Sequence, residues 1–442
     1  MCPTRSSDRT SMQATALPRR PAVNLTHVSI GLLALTLFMG TAAKVVLSPL
    51  QELVRADLRI TDNEIGLIQG LALAIPLALL SVPLGRLVDS TNRSRLLVVA
   101  ALACAAGSAL TAFAHGFAMM FAARMLVGAS VAAAVTAAVS LAADLSDAGT
   151  RGRTLMLLGL GQACGAAATF ALVGVLLGWL PGVLPGAAQD AGLTPWRLVQ
   201  LSFAAVMALA GLALLALREP PRREAGTAGA GDVRAALREL WTYRRLMIPM
   251  VVGMTTIGMA DAAASIWAVP VLTRVFHQAP ADFGGWMSAV LLGSGIVGTA
   301  IGGYLADIGQ RARGRSGILL GTVAGAALSI PAAFFPVMPS ATAFAALFAL
   351  LLTAGAITGI ASTAAVAVLV PNELRGMSIS LINAVALLMS YGVAPSIVSV
   401  SAGLLGAPDD IAVPLAVVGV VTSVCGTLAF LLAMRVAGRR PD

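Results

Sequence analysis

Gly85-Arg86-Leu87-Val88-Asp89-Ser90-Thr91-Asn92-Arg93-Ser94-Arg95 follows one long apolar run, and Gly302-Gly303-Tyr304-Leu305-Ala306-Asp307 with Arg311, Arg313 and Arg315 follows another. Both read Gly, then Leu-x-Asp, then arginines. Each ends the second apolar run of its half of the chain. A loop repeated at the same place in each half predicts two related bundles joined by a linker, as in carriers built from internal repeats.

The rest of the chain supports that reading. Of the 442 residues, 58% are hydrophobic and 11% charged, against roughly 25% charged in soluble domains. Apolar runs near 20 residues recur, the length that crosses a hydrocarbon core of about 30 Å. In lipid the backbone must bond internally, so spans are helices or a closed barrel. The runs are continuous, not alternating, which excludes the barrel. Twelve spans are predicted, at 27–49, 65–84, 96–114, 117–142, 153–179, 197–217, 246–272, 284–305, 317–335, 340–368, 377–400 and 411–434. The fold class is an all-α membrane protein in two pseudo-symmetric six-helix bundles, 27–217 and 246–434. A cytoplasmic linker at 218–245 divides them. Residues 1–26 read as a disordered cytoplasmic tail and 435–442 as a second tail.

The net charge of +9 does not point to nucleic acid. Most arginines fall on the side that holds both termini; only Arg55, Arg59, Arg197 and Arg274 fall on the other. This positive-inside bias predicts cytoplasmic termini in an inner or plasma membrane. Arg19-Arg20 reads alternatively as a twin-arginine signal, but the apolar stretch after it is too long and many spans follow. Cys2, Cys104, Cys164 and Cys425 lack paired or metal-type spacing. His27, His115 and His277 are scattered near span ends. No zinc-ligand spacing, nucleophile elbow or phosphate loop is present, so neither an enzyme nor a cofactor or metal is expected. The expected partners are a small-molecule substrate, a proton or other coupling ion, and the bilayer; a monomer is expected.

The two loops resemble the signature of the major facilitator superfamily, over nearly the whole chain. Arg55-Ala56-Asp57-Leu58-Arg59-Ile60-Thr61-Asp62, Gly66-Leu67-Ile68-Gln69-Gly70, Pro195-Trp196-Arg197, Arg218-Glu219-Pro220-Pro221-Arg222 and Pro371-Asn372-Glu373-Leu374-Arg375-Gly376 are similar to its spinster-like branch. The resemblance implies secondary transport of a small organic molecule, anionic or amphipathic, by alternating access. A proton-driven multidrug or antibiotic pump is the alternative. Against it, Ala163 stands where dedicated drug antiporters carry a proline in span five. The resemblance also implies a gate at Gly85, Asp89, Gly303 and Asp307, with Asp89 facing the start of span eleven. Arg93 is expected to pair with Asp144, and contacts of this kind are expected to join the halves.

Lysine occurs once, at Lys44, against 28 arginines. Lys44 lies inside span one, roughly 26 Å from its cytoplasmic end at 1.5 Å per residue. Arg124 lies at about the same depth in span four, and Asp261 roughly 22 Å deep in span seven. Charges so deep cost at least ~2.5–3.5 kcal/mol each and normally face a cavity or a partner. Family resemblance implies that spans one, four and seven line the cavity, so two outcomes are expected: an anionic substrate group bridges Lys44 and Arg124, or alternatively Asp261 neutralises them when the site is empty and is displaced on loading. The bland alternative is snorkelling of Lys44 past Pro49 to the headgroups. The branch's usual acids in spans one and four are absent: Ala43 and Val131 occupy their places. That leaves Asp261 as the candidate coupling acid. Gln162, Trp267, Asn383, Tyr391 and Gln69 read either as cavity lining or as ordinary interhelical contacts. Gly161 and Gly165 beside Gln162 read as close helix packing.

Overall fold

The computed structural model describes residues 23–147, 149–183, 193–221, 233–405 and 410–438. The predicted tail before residue 23, residues 222–232 of the linker and residues 439–442 lie outside the described residues.

Among the described residues, twelve helices are long and apolar enough to cross a membrane: His27–Leu58, Asp62–Leu80, Arg93–Ala112, Phe117–Leu145, Arg151–Leu180, Pro195–Ala216, Arg244–Arg274, Pro280–Gly314, Leu320–Val337, Ala341–Leu369, Leu374–Leu404 and Ala412–Ala437. They are called spans one to twelve. An even number of crossings puts both chain ends on one face, here the terminal face; the other is the distal face.

Two spans run further than predicted. Span one does not stop near Pro49. The helix turns at Val46 and resumes over Leu47–Leu58, with Leu47, Leu50, Gln51 and Val54 buried. Pro49 is tolerated because it falls in the first turn of the resumed helix, where its missing N–H costs nothing. Span eight continues past 305 because no helix breaker intervenes before Gly314, whose φ of +61° ends the regular helix. Arg311 and Arg313 on this extension are exposed.

The distal turn between spans one and two is specified residue by residue. Arg59 takes a left-handed conformation, φ 51° and ψ 40°, and stops the helix. Thr61 then caps span two. Its hydroxyl accepts from the Glu64 amide at 3.3 Å, while the Glu64 carboxylate accepts from the Thr61 amide at 2.7 Å. Two amides without helical partners are satisfied reciprocally.

Inside the first bundle, Arg93 is 4% exposed. Its guanidinium donates to Asp144 at 2.5 Å, Ser140 at 3.1 Å and Glu219 at 2.8 Å. The Glu219 carboxylate also accepts from the Ser94 amide at 2.8 Å. The predicted Arg93–Asp144 pair is present, but it corrects one expectation. It joins spans three and four and the end of span six within one bundle, and does not join the halves. At the distal face of the same bundle, Asp57 accepts from Arg197 at 3.0 Å and from the Trp196 indole at 3.0 Å. Arg197 also donates to the Ala112 carbonyl at 2.7 Å. These bonds make the first bundle a rigid unit at both ends.

Glu219 makes the terminal cluster pH-sensitive. Burial alone would raise its carboxyl, but the hydrogen bonds from Arg93 and Ser94 outweigh that and hold it below its usual 4.5. A depressed folded pKa stabilises the fold fully above the unfolded value, and the contribution is lost as pH falls through the folded value. Glu219→Gln is therefore expected to melt at a lower temperature than the wild type near pH 7. The gap is expected to close below pH 4.5, as followed by thermal unfolding in detergent.

Candidate functional site

A cavity of about 300 Å³ lies between the bundles. From the first bundle it is lined by Thr41, Lys44, Val45, Ser48, Gln69, Leu73, Ala74, Leu77, Ala166 and Phe170; from the second by Ser265, Ile266, Ala268, Met287, Leu291, Phe348, Leu387 and Tyr391. Lys44 is the one charged residue in this wall. Three further turns of helix lie beyond it before Leu58, so it is not at a membrane edge where its stem would snorkel.

The break in span one explains how Lys44 is held. Pro49 has no N–H for the Val45 carbonyl, and its ring crowds that turn. The chain turns at Val46, and the carbonyls just before the turn accept from outside the helix. Arg124 of span four donates to the Ala43 carbonyl at 2.7 Å and to the Lys44 carbonyl at 2.5 Å. Arg124 is 0% exposed. Its Nε finds no partner. Arg124 is thus brought beside Lys44, as its depth implied, but it grips backbone instead of facing the cavity.

Asp261 is placed elsewhere. Its carboxylate packs against the Gly355 backbone of span ten so closely that a Cβ there would collide with Oδ2. Its Oδ1 is buried without a hydrogen-bond partner. Neither Lys44 nor Arg124 lies within ion-pair distance of it among the described residues. The expected neutralising contact is therefore not made in this conformation.

From the distal wall of the cavity, a polar chain crosses between bundles. The Ser48 hydroxyl donates to Gln69 at 2.9 Å, the Gln69 amide donates to Gln51, and Gln51 donates to the Ile266 carbonyl at 3.0 Å. Trp267, 0% exposed, donates its indole N–H to the Pro395 carbonyl at 3.1 Å. That bond stays within the second bundle; the Trp267 ring packs on Gly66 of span two, which places it at the interface between bundles and not in the cavity wall. Further out, Arg274 of span seven pairs with Glu52 at 2.8 Å and Asp62 at 2.7 Å, and Arg55 joins Asp62 at 3.0 Å. This outer latch joins the halves. The sequence marks Arg274 only as a topology signal and gives no reading of Gln51. A signal was available for Arg274: an arginine on the arginine-poor face, in a chain with acids at 52 and 62.

The remaining predicted positions are dispersed. Gln162 is half-buried away from the cavity. A Cβ on its neighbour Gly161 would come 2.6 Å from the Ala34 carbonyl, and Gly165 lies as tightly on Phe38, so these glycines pack span five on span one. Tyr391 lines the main cavity; Asn383 lines a separate shallow pocket with Met254 and Ser362. Asp89 and Asp307 are exposed on the terminal face. Gly85 and Gly303 face open space, whereas Gly302 packs against Ile357.

Twelve membrane-length helices in two bundles, with a cavity between them, are the architecture of a membrane transporter. The chain belongs to the Major Facilitator Superfamily, whose family model matches residues 32–395. No curated protein sequence matches it. Its fold is shared with a bacterial homolog of the human lysosomal transporter spinster. That protein was solved inward-facing, unoccupied and occupied, each with TM-score 0.78, 18% identity, and coverage of 94% of this chain and 98% of that one. The nucleoside transporter NupG has TM-score 0.72 and 13% identity, covering 93% and 99%. A D-xylose–proton symporter has TM-score 0.64 and 16% identity, covering 90% and 97%. These likenesses establish the fold.

The Asp261–Gly355 contact gives a direct test. Gly355→Ala is expected to lower thermal stability in detergent by about 1–3 kcal/mol, the usual cost of overpacking. Adding Asp261→Ala is expected to recover most of that loss, a non-additivity that two independent sites would not produce.

Proposed function

We propose that this protein is a secondary carrier for a small amphipathic monoanion. The observation that carries the reading is the solitary ammonium of Lys44 in an otherwise uncharged, mainly apolar cavity. An anionic headgroup meets Lys44 with Thr41, Ser48, Gln69 and Tyr391 around it; an apolar body rests on Leu73, Phe170, Met287, Leu291 and Phe348. A volume of about 300 Å³ is at the small end of ligand sites, which run to about 1,000 Å³. That size favours a compact molecule over a whole phospholipid. A cationic drug suits the cavity poorly, because Lys44 repels it and no carboxylate lines the wall.

The terminal face is the cytoplasmic one on this reading, because it gathers the arginines. The bonds between bundles at Gln51 and Arg274 lie on the distal side of the cavity. The form described is therefore closed to the outside, in keeping with the inward-facing spinster homolog that shares the fold. Alternating access then consists of breaking the distal latch while the bundles rock about the cavity. The chain has no Walker-type motif, so ion or solute gradients drive the cycle.

Purified protein in liposomes, with 2-naphthalenesulfonate as a permanently charged probe, tests this. Lys44→Gln is expected to slow uptake about 10–100-fold, the value of one hydrogen bond to a charged group, while Lys44→Arg keeps part of it. Equal uptake by wild type and Lys44→Gln, both folded by size-exclusion chromatography, would discard the reading.

A further inference from the structure

The charges in the middle of this protein do not cancel. Arg124 reaches the carbonyl of Lys44 itself, so two cationic side chains share one layer of the first bundle. Arg124 spends its two terminal nitrogens on carbonyls, which carry dipoles but no net charge. Its Nε has no acceptor. Lys44 points its stem along the cavity wall and meets no carboxylate among the described residues. Ala43, beside Lys44 in the chain and bonded through its carbonyl to Arg124, is apolar and 0% exposed. Asp261, the remaining deep carboxylate, is lodged against Gly355 in the second bundle and lines no part of the cavity. The empty site therefore holds excess positive charge.

Water supports that charge while the cavity is open to one side. Changing sides requires an intermediate closed at both faces, in which most of that water is shed. A desolvated ammonium without a counter-ion is costly in a low-dielectric interior, whereas one paired to an anion is not. The loaded carrier can then cross and the empty one is held back. Resting on the anion-carrier reading above, we propose that this protein is an obligatory exchanger, which returns from each delivery only with a second anion in the Lys44 site. With monoanions on both sides, one enters for each that leaves, and no net charge crosses. The conformational cycle is gated by occupancy through the electrostatics of Lys44 itself, without a separate coupling ion.

The test uses the full chain in proteoliposomes and radiolabelled 2-naphthalenesulfonate outside. One set of vesicles holds the unlabelled anion; the other holds only buffer. Initial uptake is expected to be at least tenfold faster into the loaded vesicles and indifferent to an imposed potassium diffusion potential. Equal uptake into loaded and empty vesicles, or exchange that follows the potential, would overturn the exchanger and leave the anion carrier standing. Absence of uptake into both sets would overturn the anion carrier and the exchanger together.

Discussion

Arg124 gripping the carbonyls of Ala43 and Lys44 is the contact on which the centre of this protein depends. Pro49 interrupts the helix of span one among buried residues, where no lipid group can satisfy a freed carbonyl. A guanidinium has the reach and the fork to serve two carbonyls from one neighbouring helix, which a lysine ammonium does with less geometric control. The grip holds the turn that carries Lys44, and so decides which way the one charged side chain of the cavity faces. Its cost is a second buried cation with no counter-ion among the described residues, and on the proposed reading that cost favours an anion in the site.

Around this centre the polar contacts divide by purpose. Arg93 with Asp144 and Glu219, and Arg197 with Asp57, each stay inside the first bundle and hold it as one body. Gln51 to Ile266 and Arg274 to Glu52 and Asp62 run between bundles at the distal face. A rocking motion can leave the first set intact while it exchanges the second. Rigid bodies with a breakable interface are what a two-state transition requires. Span one belongs to both sets. It carries Lys44 in its centre and Glu52 in the latch only two turns away, so a charge event in the cavity lies close to the contacts that seal it.

The spans and the halves were legible in the sequence because lipid imposes a length and arginine marks a side. The Arg93–Asp144 pair was legible too, since both residues end adjacent helices on one face. What escaped depends on partners that sequence does not name. Arg124 was recognised as deep and charged, yet its partners are backbone carbonyls, which every residue has. Asp261 is deep by its place along span seven, but the direction of its carboxylate is set by the missing Cβ of Gly355 on span ten. Gln51 falls beyond the predicted end of span one, and only the helix resumed around Pro49 carries it into the contact with Ile266. Depth follows from counting along one helix, whereas orientation is a property of helix pairs.

The most direct measurement of the central claim, that the uncompensated charge at Lys44 selects the ligand, is a fluorescence titration of the purified protein. It compares 2-naphthalenesulfonate with its neutral isostere 2-naphthalenesulfonamide. The account predicts that the sulfonate binds at least tenfold more tightly, about 1.4 kcal/mol, and that Lys44→Met removes the difference. Equal affinity of the wild type for the two compounds would contradict it.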